Sequence, residues 1–146
     1  MKSTTPQITV RSLQRKIAVG VGDLEKFARN AAALCLRSPR RRKTDLETLS
    51  EVAVLIISDR RMAALHRLFM NEPGPTDVIT FQHGEIFISA DTALRNGRRF
   101  GNGLKLELQL YIVHGLLHLH GFDDRDAAGT RAMRAAENKM LKKLRQ

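Results

Sequence analysis

The chain is poor in cysteine and in aromatic rings: one Cys, one Tyr, six Phe and no Trp among 146 residues. A single thiol, Cys35, excludes an internal disulfide and any zinc site built from several cysteines. So few rings argue against a stacking platform for unpaired bases. No apolar run approaches the roughly 20 residues of a membrane span. The first residues, Met1 to Gln7, lack the apolar stretch of a secretory leader. These absences lead us to expect a soluble protein of a reducing cytoplasm, with no membrane and no disulfide partner. Acid is short as well. Fifteen Asp and Glu face 25 Lys and Arg, leaving a formal charge of +10.

What is present suits one globular domain over residues 1–146. Apolar residues make up 42% and charged residues 27%, an ordinary balance for a packed core. The surplus positive charge favours a polyanionic partner, because each neutralised phosphate releases condensed counterions. Its density is uneven. Arg37, Arg40, Arg41, Arg42 and Lys43 fall within seven residues that hold no acid. Arg95, Arg98, Arg99 and Lys105 bracket a Gly-rich turn, and the C-terminal segment adds Arg131, Arg134, Lys139, Lys142, Lys143 and Arg145. Each group has a plain alternative, a solvated face that keeps the protein in solution.

The hydrophobic pattern predicts an α+β domain: a small mixed sheet of about four strands flanked by about five helices. Strands are expected at residues 7–11, 51–58, 77–81 and 85–89, the last two joined as a hairpin. Asp23 is expected to cap a helix to Leu36, and Ser58 or Asp59 another through Met62, Leu65, Leu68 and Phe69. A brief helix over 90–96 should end at Gly97. Residues 104–119 read as a helix apolar nearly all round, which belongs at the centre of a fold. Gly121 stops it, and a basic helix spans 127–144.

Three of the five histidines lie between positions 114 and 120. His118 sits one turn beyond His114, about 40° round the helix, so both imidazoles share one face. Imidazoles so placed suit a divalent metal such as zinc. Gly121 can turn the chain back and present Asp123 or Asp124 to the same point. His114-x3-His118-x2-Gly121-x2-Asp124 matches the spacing of the metzincin zinc motif, which selects His114, His118 and Asp124 as ligands of one Zn2+. The plain alternative is a pair of hydrogen-bonded core histidines. His120 points about 200° away from His118, and a structural role is expected of it. Zincin proteases carry Glu directly after the first His as general base. Here Gly115 occupies that position, which disfavours peptide hydrolysis. Glu107, two turns before His114 on nearly the same face, is the candidate assisting carboxylate, with a surface carboxylate as the alternative.

The run His114-Gly-x-Leu-His118-Leu-x-Gly121-Phe-Asp123-Asp124 resembles the signature of the YbeY family, usually written His-Gly-x-Leu-His-Leu-x-Gly-Tyr-Asp-His. Pro75-Thr76-Asp77-Val78-Ile79-Thr80-Phe81, followed by Gly84-Glu85-Ile86, is similar to that family's Pro-Thr-Asp-Val-Leu-Ser-Phe and Gly-Asp-Ile blocks. The resemblance covers roughly residues 50–145. It implies a metal-dependent, single-strand-acting endoribonuclease of rRNA maturation and ribosome quality control, with rRNA or pre-rRNA and the small ribosomal subunit as partners. Water would occupy the open fourth position of the zinc. Arg40, Arg41, Arg42, Lys43, Arg98 and Arg99 are candidate phosphate contacts. Three departures stand out. Asp124 replaces the family's third His and makes the site one charge more negative. Met70, after Phe69, replaces a frequent Arg. Glu85 replaces Asp. The alternative reading is a metal-stabilised assembly factor that grips RNA without cutting it.

Overall fold

The computed structural model describes residues 5–146. The elements run β1 (Gln7–Ser12), α1 (Val21–Leu36), α2 (Asp45–Thr48), β2 (Glu51–Ile57), α3 (Asp59–Met70), β3 (Val78–Phe81), β4 (Glu85–Ser89), α4 (Ala90–Phe100), α5 (Gly103–Leu119) and α6 (Ala127–Leu144). The sheet order is β1-β2-β4-β3. β1, β2 and β4 are parallel, and β3 returns antiparallel to β4 as the hairpin spacing predicts. This is the expected α+β domain, with six helices in place of about five.

The added helix is α2, a single turn held by a capping box. Thr44 Oγ1 accepts from the Glu47 amide at 3.3 Å, and Glu47 Oε1 accepts from the Thr44 amide at 2.6 Å. α1 begins at Val21 after Gly20, so Asp23 lies in its first turn and is not its cap. Ser58 caps α3, its hydroxyl accepting from the Arg61 amide. α4 runs through Gly97 to Phe100 and stops at Gly101, where φ is 74°. Gly97 is there for close approach rather than termination. A Cβ would stand 2.6 Å from the carbonyl carbon of Gly103, where α5 begins.

Alternation along the strands divides the apolar residues between the two sheet faces. Val52, Val54, Ile56, Ile86 and Ile88 join α1, α5 and α6 in the main core, while Ile57 and Ile79 pack with Met62 of α3 on the other face. Each such fully buried side chain contributes about 1.5–3 kcal/mol. α5 is the central element, with ten of its 17 residues buried. Gly115 sets how close it lies to the sheet, since a Cβ there would meet Ile86 Cγ2 at 2.6 Å. A Glu side chain at this position would drive into β4 instead of reaching the histidine face, which gives the missing zincin glutamate a packing cause.

Candidate metal centre

α5 unwinds at the point its sequence predicts. Gly121 adopts φ 89°, and the amides of Gly121 and Phe122 donate to the carbonyls of His118 and Leu117 at 3.1 and 3.0 Å. That bend carries Asp124 back over the last turns of the helix. His114 Nε2 and His118 Nε2 are 3.1 Å apart, and the Asp124 carboxylate oxygens lie 3.8 Å from the first and 3.9 Å from the second. Ligand atoms tetrahedrally disposed about 2.0–2.1 Å from a zinc ion are roughly 3.3 Å apart. The two nitrogens are at about that separation, and one Asp124 oxygen lies within 4.8 Å of both, so a modest turn of the carboxylate would close the triangular base of such a site.

The outer nitrogens explain why the inner ones are available. His118 Nδ1 donates to the Phe122 carbonyl at 3.1 Å, and His114 Nδ1 lies 2.5 Å from Glu137 Oε2 on α6. With a proton on each Nδ1, a neutral imidazole presents an Nε2 lone pair, and here both point at one place. Lone pairs that close repel unless a proton or a cation lies between them. The donor set thus fits a divalent ion. Burial acts to lower the His114 pKa, but the hydrogen bond and charge of Glu137, with Asp77 and Asp124, leave it above its ordinary value. Burial, then the like charge of His114, hold the His118 pKa below its ordinary value. Reasoning from the sequence misses Glu137, although a signal is there: it is the only acid on α6, and it shares that helix's buried stripe with Met133, Met140 and Leu141.

His120 faces elsewhere and is fully buried. Its Nε2 donates to the Ser38 carbonyl at 2.7 Å, so its Nδ1 accepts from the Thr44 hydroxyl at 3.0 Å. One imidazole thus ties both ends of the segment 39–43 to the end of the histidine helix. Arg40 adds a hydrogen bond to the Gly121 carbonyl at 3.3 Å and stacks over the Phe122 ring at 3.9 Å. The result brings Arg40, Arg41, Arg42 and Lys43 into the wall of a cleft of about 730 Å³, together with His114, His118, Asp124 and Met70. Nothing in the sequence places that loop beside the histidines.

A second cleft of about 570 Å³ meets the first at Asp77, Val78, His114 and Asp124. Glu107 lines it and is buried at 3% exposure, not a surface carboxylate. Its oxygens accept from Tyr111 Oη at 3.3 Å and Asn102 Nδ2 at 3.0 Å. Glu137, not Glu107, is the carboxylate that touches His114. Arg98 and Arg99 lie in the last turn of α4 and enter neither cleft.

Comparison with known proteins points to one family. The chain is 34% identical over 110 residues to the Endoribonuclease YbeY of Thermobifida fusca, which covers 64% of this chain and 71% of that protein. It is 36% identical over 100 residues to that of Bacteroides thetaiotaomicron, covering 64% and 73%. The solution structure of TM1509 from Thermotoga maritima shares the fold, with a TM-score of 0.63 at 22% identity over 94% of this chain and 88% of that one. The family model for Endoribonuclease YbeY matches residues 9–145, and the chain belongs to that family.

Proposed function

We propose that residues 1–146 act as one zinc-dependent endoribonuclease domain that cleaves single-stranded stretches of rRNA precursors in the cytoplasm. Its setting on this reading is rRNA maturation and ribosome quality control, with the small ribosomal subunit as partner. The observation that carries this reading is the pair of inward-facing Nε2 atoms, with Asp124 beside them, in a cleft whose lining includes five cations, Arg40, Arg41, Arg42, Lys43 and Arg125. His114, His118 and Asp124 would hold the ion. When bound, zinc supplies Lewis-acid charge at a phosphoryl oxygen and a nucleophile at neutral pH.

The chain's own residues supply the rest. Glu137 fixes the His114 ring and its tautomer and raises the basicity of the coordinating nitrogen. Arg40 to Lys43 attract the phosphate backbone, so binding is salt-dependent and indifferent to base sequence. Glu107 is assigned a supporting part from the second cleft, whose wall it shares with His114. Arg98 and Arg99 are assigned none.

One observation favours a binding protein that does not cut. Met70 stands in the cleft wall where the resemblance implies an Arg, which removes one cation from beside the phosphates. Two measurements separate the readings: bound metal by elemental analysis, and cleavage of an rRNA fragment by the wild type and His114→Ala. We expect about one zinc per chain and cleavage that disappears in the variant. Tight binding with no cleavage by the zinc-loaded wild type would overturn the enzyme reading in favour of the assembly factor.

A further inference from the structure

Four cations follow one another at Arg40, Arg41, Arg42 and Lys43, and the fold treats one of them differently. Among the described residues, only Arg40 of the four spends its side chain on a hydrogen bond and on a ring. Its Nη2 donates to the Gly121 carbonyl at 3.3 Å, and its guanidinium carbon stands 3.9 Å from the centre of the Phe122 ring. A Cβ built on Gly121 would lie 3.7 Å from Arg40 Nε. The guanidinium head therefore packs against both residues of the bend that ends α5.

What Arg40 grips governs the candidate ligands. The Phe122 carbonyl accepts from His118 Nδ1 at 3.1 Å, which leaves His118 Nε2 facing that of His114. Two residues further on is Asp124. The dipeptide Gly121–Phe122 thus sets the ring of one ligand and the reach of another, and Arg40 holds it from outside. The ends of the basic loop are fixed separately, through the Ser38 carbonyl and the Thr44 hydroxyl on His120. Loss of the Arg40 head should free the bend without freeing the loop. We propose that Arg40 is a positioning residue of the metal centre, clamping Gly121–Phe122 so that His118 Nε2 and Asp124 stay directed at the ion. Arg41, Arg42 and Lys43 keep their donors free for phosphate. Charge alone predicts the opposite effect. A guanidinium lining the same cleft as a divalent cation repels it, so its removal would tighten the metal or, under screening by salt, leave it unchanged. Clamping predicts weaker binding.

The inference rests on the metal-centre reading, and its test keeps the two apart. Zinc affinity is measured by chelator competition on the full chain without RNA, well below the melting midpoint of each metal-free protein. An exposed cation–π contact is worth a factor of about 2–5, and partners that orient a ligating imidazole about 10–100. Arg40 acts one bond further out than such partners, so Arg40→Ala should weaken zinc about 3- to 10-fold. Arg42→Ala, which removes charge from the same loop, should hold or tighten it. Phe122→Leu loses the ring and should fall with Arg40→Ala, whereas Phe122→Tyr keeps a ring face and should match wild type. The double variant Arg40→Ala, Phe122→Leu should be little worse than either single one, because the two side chains act as a unit. A wild type that binds no zinc overturns the metal-centre reading itself. A wild type that binds zinc while Arg40→Ala matches or exceeds it overturns the clamp alone. Fully additive losses in the double variant, or a loss in Arg42→Ala equal to that in Arg40→Ala, also overturn the clamp.

Discussion

The last two turns of α5 and the residue that caps them carry three histidines that the fold treats in opposite ways. On the cleft side, His114 and His118 each spend Nδ1 on a fixed acceptor and leave Nε2 facing the other's. On the closed side, His120 spends both nitrogens, on Ser38 and Thr44, and is sealed from solvent. The difference between a candidate ligand and a tether is thus not residue type, helix or burial alone. It is whether the second nitrogen has been given a partner by the protein. Gly115, between them, shows the closed side at its tightest, against Ile86.

Breaking the cleft side should have the largest effect. Alanine at His114 or Asp124 should bring the zinc content of purified protein to background by elemental analysis, while Asp124→His retains the metal. Retention in either alanine variant, or loss in His120→Ala, would reverse the assignment. Glu137→Gln removes the charge behind His114 but leaves an oxygen for its Nδ1–H. Such partners typically cost 10–100-fold in metal affinity, so chelator competition should show a shift of about that size with the fold intact.

Changes on the closed side should cost stability instead of metal. His120→Ala strips the Ser38 carbonyl and Thr44 hydroxyl of their partner, worth about 1–3 kcal/mol in a denaturant midpoint. Its zinc content should match wild type. Gly115→Ala presses a methyl into Ile86, and overpacking of this kind costs about 1–3 kcal/mol. We place it last because a small shift of the Ile86 side chain relieves part of the clash. A Gly115→Ala protein that melts with the wild type would show that α5 and β4 are less tightly opposed than the structure has them.

Much of the cleft side is legible in the amino-acid sequence. The i,i+4 spacing of His114 and His118, the glycine bend and the return of Asp124 are all local, set by helix geometry and one backbone conformation over eleven residues. The carboxylate behind His114 is not, because Glu137 arrives from a helix 23 positions away and only packing puts it there. The basic loop is readable as basic but not as a cleft wall, since its tether, Thr44 to His120, spans 76 positions. α2 is hidden although Thr44-x-x-Glu47 is a capping box, because a single turn shows no hydrophobic period. Gly97 misleads for a related reason. In a sequence, a glycine that ends a helix and one that admits a neighbouring backbone look alike.

The depth at which α5 is set has a consequence for what a cation does here. A helix with ten of its 17 residues enclosed is anchored by oil, not by ions. Its histidines are therefore aligned in advance, and loading the centre spends little free energy on ordering the chain. On the proposed reading, metal is a replaceable tool in a standing frame, in contrast to small zinc modules that collapse when stripped. Chelation should disarm this molecule without dismantling it.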